Sequence, residues 1–143
     1  MTDFRYFEDL RPGEQHTTAP VEVTKTEIIE FAGKYDPQPM HLEGENLLAS
    51  GWHTAALTMR LFVTSDWCRP PPGALGLGVK SLQWLRPVRA GDWLYSKIEL
   101  LDLRLSRSRP RHGIASYRFL TFNQNDELVQ SMESGMLLPC RQA

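Results

Sequence analysis

The spacing of apolar residues changes along the chain, from a helical pattern in the first half to alternation in the second. Residues 47–64 carry a single full charge, at Arg60, and their apolar side chains point in nearly every direction around a helix. This pattern predicts a buried helix over Leu47–Thr64, roughly 25 Å long at 1.5 Å per residue. The cluster Arg69–Gly73, with three prolines and a glycine, then predicts a loop.

Beyond that loop, alternating apolar and polar residues predict strands that each have one buried face. Four strands are expected in this half, namely Val79–Val88, Trp93–Leu103, Ile114–Phe122 and Leu128–Leu138. A further strand is predicted at Gln15–Thr24, followed by a short helix that Thr24 or Thr26 caps and that ends before Pro37. The expected fold is α+β in one domain over residues 1–143, with a twisted antiparallel sheet wrapped around the long helix.

A sheet that wraps the helix on one side leaves its other side uncovered. We therefore expect a homodimer or a higher homo-oligomer, in which a second copy supplies the missing cover.

Composition excludes some classes of protein but does not identify a reaction. The 143 residues are 41% hydrophobic and 23% charged, and the net charge is −1, so no overall field favours nucleic acid or an anionic membrane as a partner. Cys68 and Cys140 lie far apart, which argues against a metal cage or a disulfide framework. Residues 1–5 lack the features of a signal peptide and no apolar run has membrane length, so we predict a cytoplasmic protein.

The candidate chemistry lies in the segment from Asp36 to His41, which holds a carboxylate and an imidazole five residues apart. Pro37 and Pro39 stand between them, and each proline disfavours the α region for the residue before it. The segment is therefore expected to cross the molecule as a rigid, extended stretch rather than as a helical turn. Such a stretch can aim an acid and a base at one point.

Asp36, Gln38-Pro39 and His41 resemble the motif of the MaoC-like dehydratases and (R)-specific enoyl-CoA hydratases, which have the hot-dog fold. Three other stretches resemble parts of that family. Ala49–Ala56 resembles the start of its central helix, and Leu82–Asp92 resembles its strand-and-turn signature. Ser106–Pro110 and Asn123-Gln124 resemble its later hairpins. The resemblance covers nearly the whole chain and implies the hot-dog fold.

The resemblance also implies a reaction, the reversible addition of water across the α,β double bond of an acyl thioester. Asp36 would orient and activate the water as a base, and His41 would share that water and exchange a proton with it. The Gly51 N–H at the start of the long helix would donate to the thioester oxygen, and a glycine would let the substrate approach the backbone. Ser50 and His53 are further candidates for substrate binding, although Ser50 could instead cap the helix and His53 could be a buried structural histidine.

The implied substrate is a thioester of coenzyme A or acyl carrier protein, and no separate cofactor or metal is implied. Four arginines between the last strands, at 104, 107, 109 and 111, are expected to form a solvated hairpin tip, with contact to coenzyme A phosphates as the alternative. Arg86 and Lys80 are equally plausible phosphate contacts.

The chain departs from the family pattern in two places. Its connection Leu42–Ser50 is shorter than usual by about three helical turns' worth of residues. Ala56 stands where some members carry a supporting serine, a role that Thr54 or Ser50 could take instead. Two other functions therefore stay open, namely a thioesterase on the same fold and a non-catalytic acyl-CoA-binding subunit.

Overall fold

The chain forms an antiparallel β-sheet with one long helix packed across it. A computed structural model describes residues 3–141. A 3-10 turn at Phe7–Asp9 comes first, and the helices and strands then follow in this order: β1 (Gln15–Thr17), β2 (Val21–Glu22), α1 (Lys25–Tyr35), α2 (Pro39–Leu42), α3 (Gly51–Val63), β3 (Leu75–Trp84), β4 (Trp93–Leu105), β5 (His112–Phe122) and β6 (Leu128–Pro139).

The strands pair in the order β1-β4-β5-β6-β3, and β2 pairs with the start of β4. All of these pairings are antiparallel. Along β5, every second side chain from Gly113 to Thr121 is buried, and this is the alternation from which the strand was predicted. The buried face packs against α3, where Phe62 meets Tyr117 and Phe119 at ring-centroid distances of 4.9 and 5.0 Å. The predicted α+β hot-dog fold is thereby confirmed.

The long helix is shorter and less buried than predicted. It begins at Gly51 rather than Leu47 and spans roughly 20 Å at 1.5 Å per residue. Residues 47–49 are extended because they pair with the segment 88–90, through bonds such as Ala49 N–H to the Val88 carbonyl. Within the single chain, the helix leaves Trp52, Met59 and Val63 exposed, so the expectation of burial on all sides is wrong for one protomer.

Two strand predictions also require correction. The stretch Gln15–Thr24 forms two short strands, β1 and β2, because Pro20 between them has no N–H to give to a ladder. Strand β3 begins at Leu75 and ends at Trp84, whereas Val79–Val88 was predicted. This edge strand accommodates glycines at 76 and 78, although glycine weakens the interior of a strand.

The segment from Asp36 to His41 is extended only in its first half. Gln38 has φ −102° and ψ 146°, but Pro39 then opens the four-residue helix α2, which contains His41. Proline is favoured at the first position of a helix, where its missing N–H removes no hydrogen bond. The prediction of an extended stretch without a helical turn is therefore wrong from Pro39 onward.

Over residues 3–141, none of the helices has the combination of length and apolar character that a bilayer crossing requires.

Candidate active site

The structure brings Asp36 and His41 into direct contact. Asp36 ends helix α1, where its N–H donates to the Ala32 carbonyl, and His41 lies in the following helix α2. Asp36 Oδ2 and His41 Nε2 are 3.2 Å apart. The imidazole is 7% exposed and the carboxylate 19%, so the carboxylate is the more accessible of the two groups.

A backbone carbonyl determines which nitrogen of His41 faces the carboxylate. His41 Nδ1 lies 2.6 Å from the Leu48 carbonyl oxygen, and a carbonyl can only accept a hydrogen bond. Nδ1 therefore carries a proton and donates it, which leaves Nε2 as the nitrogen that can exchange a proton beside Asp36. Leu48 is itself held in place, since its N–H donates to the Met40 carbonyl and it pairs with Arg89.

The Asp36 carboxyl has a lowered pKa, and the largest cause is the Gln38 side chain. Gln38 Nε2 donates to Asp36 Oδ1 at 2.6 Å, which favours the ionised form. The Ser50 hydroxyl and His41 lower the pKa further, while partial burial opposes them. Asp36 is therefore a carboxylate at neutral pH, the state in which it can accept a proton.

Ser50 and Gly51 bring the start of α3 to the same place. Ser50 precedes the helix and is 1% exposed, yet its side chain does not cap the helix. Its hydroxyl influences Asp36 but makes no hydrogen bond of ordinary geometry within the described residues, so it is a buried polar group without a partner. Gly51 is the first helical residue, and its N–H has no acceptor within the helix.

The missing side chain of Gly51 makes room for Trp84. A Cβ at this position would lie 2.4 Å from Cε2 of the Trp84 indole, far inside contact distance. The ring thus occupies the space in front of the Gly51 Cα, where the sequence interpretation placed an approaching substrate. The glycine is needed for protein packing here, whatever binds to its N–H.

His53 is buried but faces helix α1 instead of the Asp36–His41 pair. Its ring stacks on Phe31 at a centroid distance of 4.9 Å and an interplanar angle of 13°. Burial lowers the pKa of His53, and Glu27 opposes the shift. The lowered pKa keeps the His53 imidazole neutral at neutral pH, and within residues 3–141 its Nδ1 has no hydrogen-bond partner.

The other candidates lie outside this group. Ala56 is exposed in the single chain, whereas Thr54 is buried at 3%. The basic run occupies the hairpin between β4 and β5, whereas Asp36 and His41 lie near the opposite end of β4, which is roughly 40 Å long at 3.3 Å per residue. Over the described part of the chain, no three His, Cys, Asp or Glu side chains gather as a metal site would require.

Sequence reasoning missed three residues at this site or beside it. Gln38 was identified only as part of the motif, but its amide donates to Asp36 and is the largest cause of the lowered pKa of that carboxyl. Trp84 lies against Gly51, and its Nε1–H donates to the Gln130 side chain at 3.0 Å. Nothing in the alternation of β6 marks Gln130 as different from an apolar residue that faces the core.

Three relatives can be compared with this arrangement. A crystal structure of a MaoC-like dehydratase from Rhodospirillum rubrum is 38% identical, with a TM-score of 0.88 over 97% of this chain and 99% of that one. The (R)-hydratase from A. caviae, involved in PHA biosynthesis, is 25% identical, with a TM-score of 0.75 over 92% of this chain and 99% of that one. The uncharacterised protein YdeM of Bacillus subtilis (strain 168) is 28% identical over 88% of this chain and 93% of its own length. No protein-family model matches the chain.

The fold is that of a hot-dog protein, and it pairs an acid and a base near the start of its long helix. At 38% identity over nearly its full length to a MaoC-like dehydratase, the chain belongs to the MaoC-like dehydratase family.

Proposed function

We propose that this protein catalyses the reversible addition of water across the C2–C3 double bond of an acyl thioester. The observation that carries the proposal is the 3.2 Å contact between Asp36 and His41, placed beside the start of α3 where the Ser50 hydroxyl lacks a partner. A buried polar group without a partner is costly unless a ligand satisfies it. The family relationship and the A. caviae (R)-hydratase support the same chemistry.

In the hydration direction, Asp36 accepts a proton from a water molecule as its oxygen attacks C3. His41 shares that water through Nε2, since its Nδ1 is held by the Leu48 carbonyl. The proton removed from water is returned to C2, so the elements of water add as a whole and both side chains end as they began. Each general acid or base of this kind contributes roughly 10²–10⁴-fold to the rate.

The thioester oxygen gains enolate charge while C3 is attacked, and we assign its stabilisation to the start of α3. The Gly51 N–H has no acceptor within the helix, and the helix N-terminus carries a partial positive charge. A donor fixed in this way costs no reorganisation during the reaction. The Ser50 hydroxyl is the second polar group available there, either for the oxygen or for the water.

The substrate in this proposal is a thioester of coenzyme A or of acyl carrier protein. A thioesterase would instead need water on the carbonyl carbon, and the Asp36–His41 pair favours addition at C3. A non-catalytic acyl-CoA-binding subunit is the other outcome that the assay below distinguishes.

Crotonyl-CoA and longer enoyl-CoAs provide the test, with enoyl absorbance and free thiol followed together. We expect absorbance to fall without thiol release. Asp36→Asn and His41→Ala should reduce turnover by at least 10²-fold while the protein stays folded. Glu45→Gln, which alters an exposed carboxylate in the same connection, is the matched control and should retain full activity.

Thiol release would instead indicate a thioesterase, and retained acyl-CoA binding with neither signal would indicate a binding subunit. Full activity in Asp36→Asn would remove the assignment of this residue as the base.

We propose in addition that the protein is a homodimer that pairs through β3. This strand is at the edge of the sheet, and Leu75, Leu77 and Val79 are each 50–55% exposed along it. An apolar edge strand invites pairing with another strand. A groove of about 340 Å³ is lined mainly by β3 and its neighbour β6, with neither Asp36 nor His41 among its lining residues, and we assign it to the surface that a second copy would contact.

Sedimentation velocity tests this assembly. The wild-type protein should sediment as a dimer, and Leu77→Lys should shift it toward the monomer because the new charge would be buried at the interface. Leu105→Lys, at an exposed position on the β4–β5 hairpin, should leave the dimer intact. A monomeric wild-type protein at high concentration would contradict the proposal.

A further inference from the structure

A network of polar side chains joins the middle of α3 to the sheet. Trp84 on β3 donates from Nε1 to Gln130 Oε1 on β6 at 3.0 Å, and Gln130 Nε2 donates to Thr58 Oγ1 on α3 at 2.9 Å. An indole N–H can only donate, so the amide must turn its oxygen toward Trp84 and its nitrogen toward Thr58. Gln130 and Thr58 are both completely buried.

The hydroxyl protons of this hydrogen-bond network also have one consistent arrangement. Thr58 donates to the Thr54 carbonyl at 3.0 Å, so its oxygen accepts from Gln130 and from Thr121, which lies 2.9 Å away. Thr121 in turn accepts from Ser96 at 2.6 Å. Each donor thus has a single acceptor to satisfy, and such a network holds one orientation of the amide.

We propose that Gln130 is a positioning residue, which fixes the Trp84 indole against the Cα of Gly51 and so sets the direction of the first N–H of α3. The ring leaves no room for a Cβ at Gly51, so the glycine and the indole move together. Trp52 contacts the outer side of the ring at a centroid distance of 5.2 Å and an angle of 80°. The hydrogen bond to Gln130 restrains the nitrogen side of the same ring.

The proposal rests on the proposed hydration, in which the Gly51 N–H stabilises the thioester oxygen. Loss of the restraint would let the indole rotate and the start of α3 shift. A misplacement of about 1 Å, even one that originates away from the reacting atoms, can lower a rate about 10²-fold. Because the oxygen gains charge in the transition state, the change should appear in kcat more than in KM.

The test compares the full-length wild-type protein with Gln130→Leu, which keeps the buried volume while it removes both hydrogen bonds. We expect kcat on crotonyl-CoA to fall about 10- to 100-fold, with KM changed less. In ¹H–¹⁵N spectra, the Trp84 indole signal, assigned from Trp84→Phe, should move and exchange faster with solvent. The Gly51 amide signal should move with it.

Two further variants separate positioning from a general loss of stability. Ser96→Ala breaks the same chain at its far end and leaves no donor unpaired, so the Trp84 and Gly51 signals and kcat should stay within about twofold of wild type. Trp84→Phe keeps a ring but loses the donor, and combining it with Gln130→Leu should be no worse than the more severe single change. If Ser96→Ala lowers kcat as much as Gln130→Leu does, the role of Gln130 is merely structural and the proposal is wrong.

Failure of the proposed function is a separate result. If the wild-type protein turns over no enoyl thioester, the proposed hydration activity is wrong. The NMR spectra alone then test whether Gln130 positions Trp84 and the Gly51 N–H. An unmoved Gly51 amide in folded Gln130→Leu overturns the positioning role, and a Gly51 amide that moves there but not in Ser96→Ala supports it.

Discussion

Two neighbouring turns of α3 pack against the same sheet by different means. In the C-terminal, aromatic half, Phe62 is completely buried among the rings of Tyr117, Phe119 and Trp67. One turn earlier, at the middle of the helix, Thr58 makes buried hydrogen bonds to Thr121 and Gln130 on the sheet. A single helix thus changes from apolar to polar packing within about one turn.

The difference separates stability from orientation. Apolar burial contributes roughly 25 cal/mol per Å² and has no preferred direction, so the aromatic half can stabilise the fold with some tolerance of geometry. A buried hydrogen bond contributes only about 0.5–1.5 kcal/mol net, but it requires a particular distance and angle. Through Gln130 and Trp84, this polar contact is linked to the packing of Gly51, beside Asp36 and His41, where orientation matters for chemistry.

The largest expected effect is in the aromatic half. Phe62→Ala should lower the free energy of unfolding by about 3–5 kcal/mol, because it removes a completely buried ring and leaves a cavity. Urea unfolding measures this loss, and activity of the remaining folded protein at low temperature should change little. Leu105→Ala, at a position that is 67% exposed, is the control. A loss below about 1 kcal/mol would mean that the aromatic half does not dominate stability.

A smaller loss of stability is expected one turn earlier. Thr58→Val keeps the shape of the side chain but leaves the Gln130 amide and the Thr121 hydroxyl without their acceptor, which should cost about 1–3 kcal/mol. Thr64→Val is the matched control, since its exposed hydroxyl donates only to the Arg60 carbonyl. Equal losses of stability in the two variants would show that the buried hydrogen-bond network is no more sensitive to a lost hydroxyl than the protein surface is.

The next effect is a shift in the pH dependence of activity, which involves Asp36. Gln38→Leu removes the main cause of the lowered pKa of Asp36, so that pKa should rise toward its ordinary value. Because the base acts as a carboxylate, activity is lost as pH falls through this pKa, and the acidic limb of kcat/KM should move to higher pH. The lowered pKa of Asp36 stabilises the folded protein at pH values above the pKa of the unfolded state. This stabilisation is lost as pH falls through the pKa of the folded state, and Gln38→Leu should lose part of it.

Carbon NMR titration of the Asp36 carboxyl, beside the pH–rate profile, checks the assignment. Gln15→Leu, an exposed change on β1, should leave both curves unchanged. An unchanged acidic limb in Gln38→Leu would mean that another group controls it.

The smallest effect concerns His53. Burial lowers its pKa in the folded state, so below the ordinary value of about 6.5 the unfolded chain binds a proton that the folded chain does not. Stability should therefore fall as pH drops from that value to the lowered one, by at most about 1.4 kcal/mol per pH unit. His53→Gln should flatten this part of the stability curve, measured by urea unfolding. Equal slopes in the wild type and His53→Gln would contradict a buried neutral histidine.

Local pattern was sufficient for much of the fold. The alternation of buried and exposed residues predicted β4, β5 and β6 to within two residues, and Thr24 caps α1 as expected. The sequence analysis singled out Asp36 and His41 as an acid and a base five residues apart, and the structure brings them into contact, one at the end of α1 and the other in α2. Such features depend on neighbours in sequence, so the amino-acid sequence by itself determines them.

Only the tertiary structure decided the rest. The start of α3 depends on pairing with residues 88–90, and the tautomer of His41 depends on the Leu48 carbonyl. The bonds of Gln130 to Trp84 and Thr58 join residues that are 46 and 72 positions apart. A pattern of polar and apolar residues shows which side chains face inward, but it holds no information on which inward-facing donor meets which acceptor across the core.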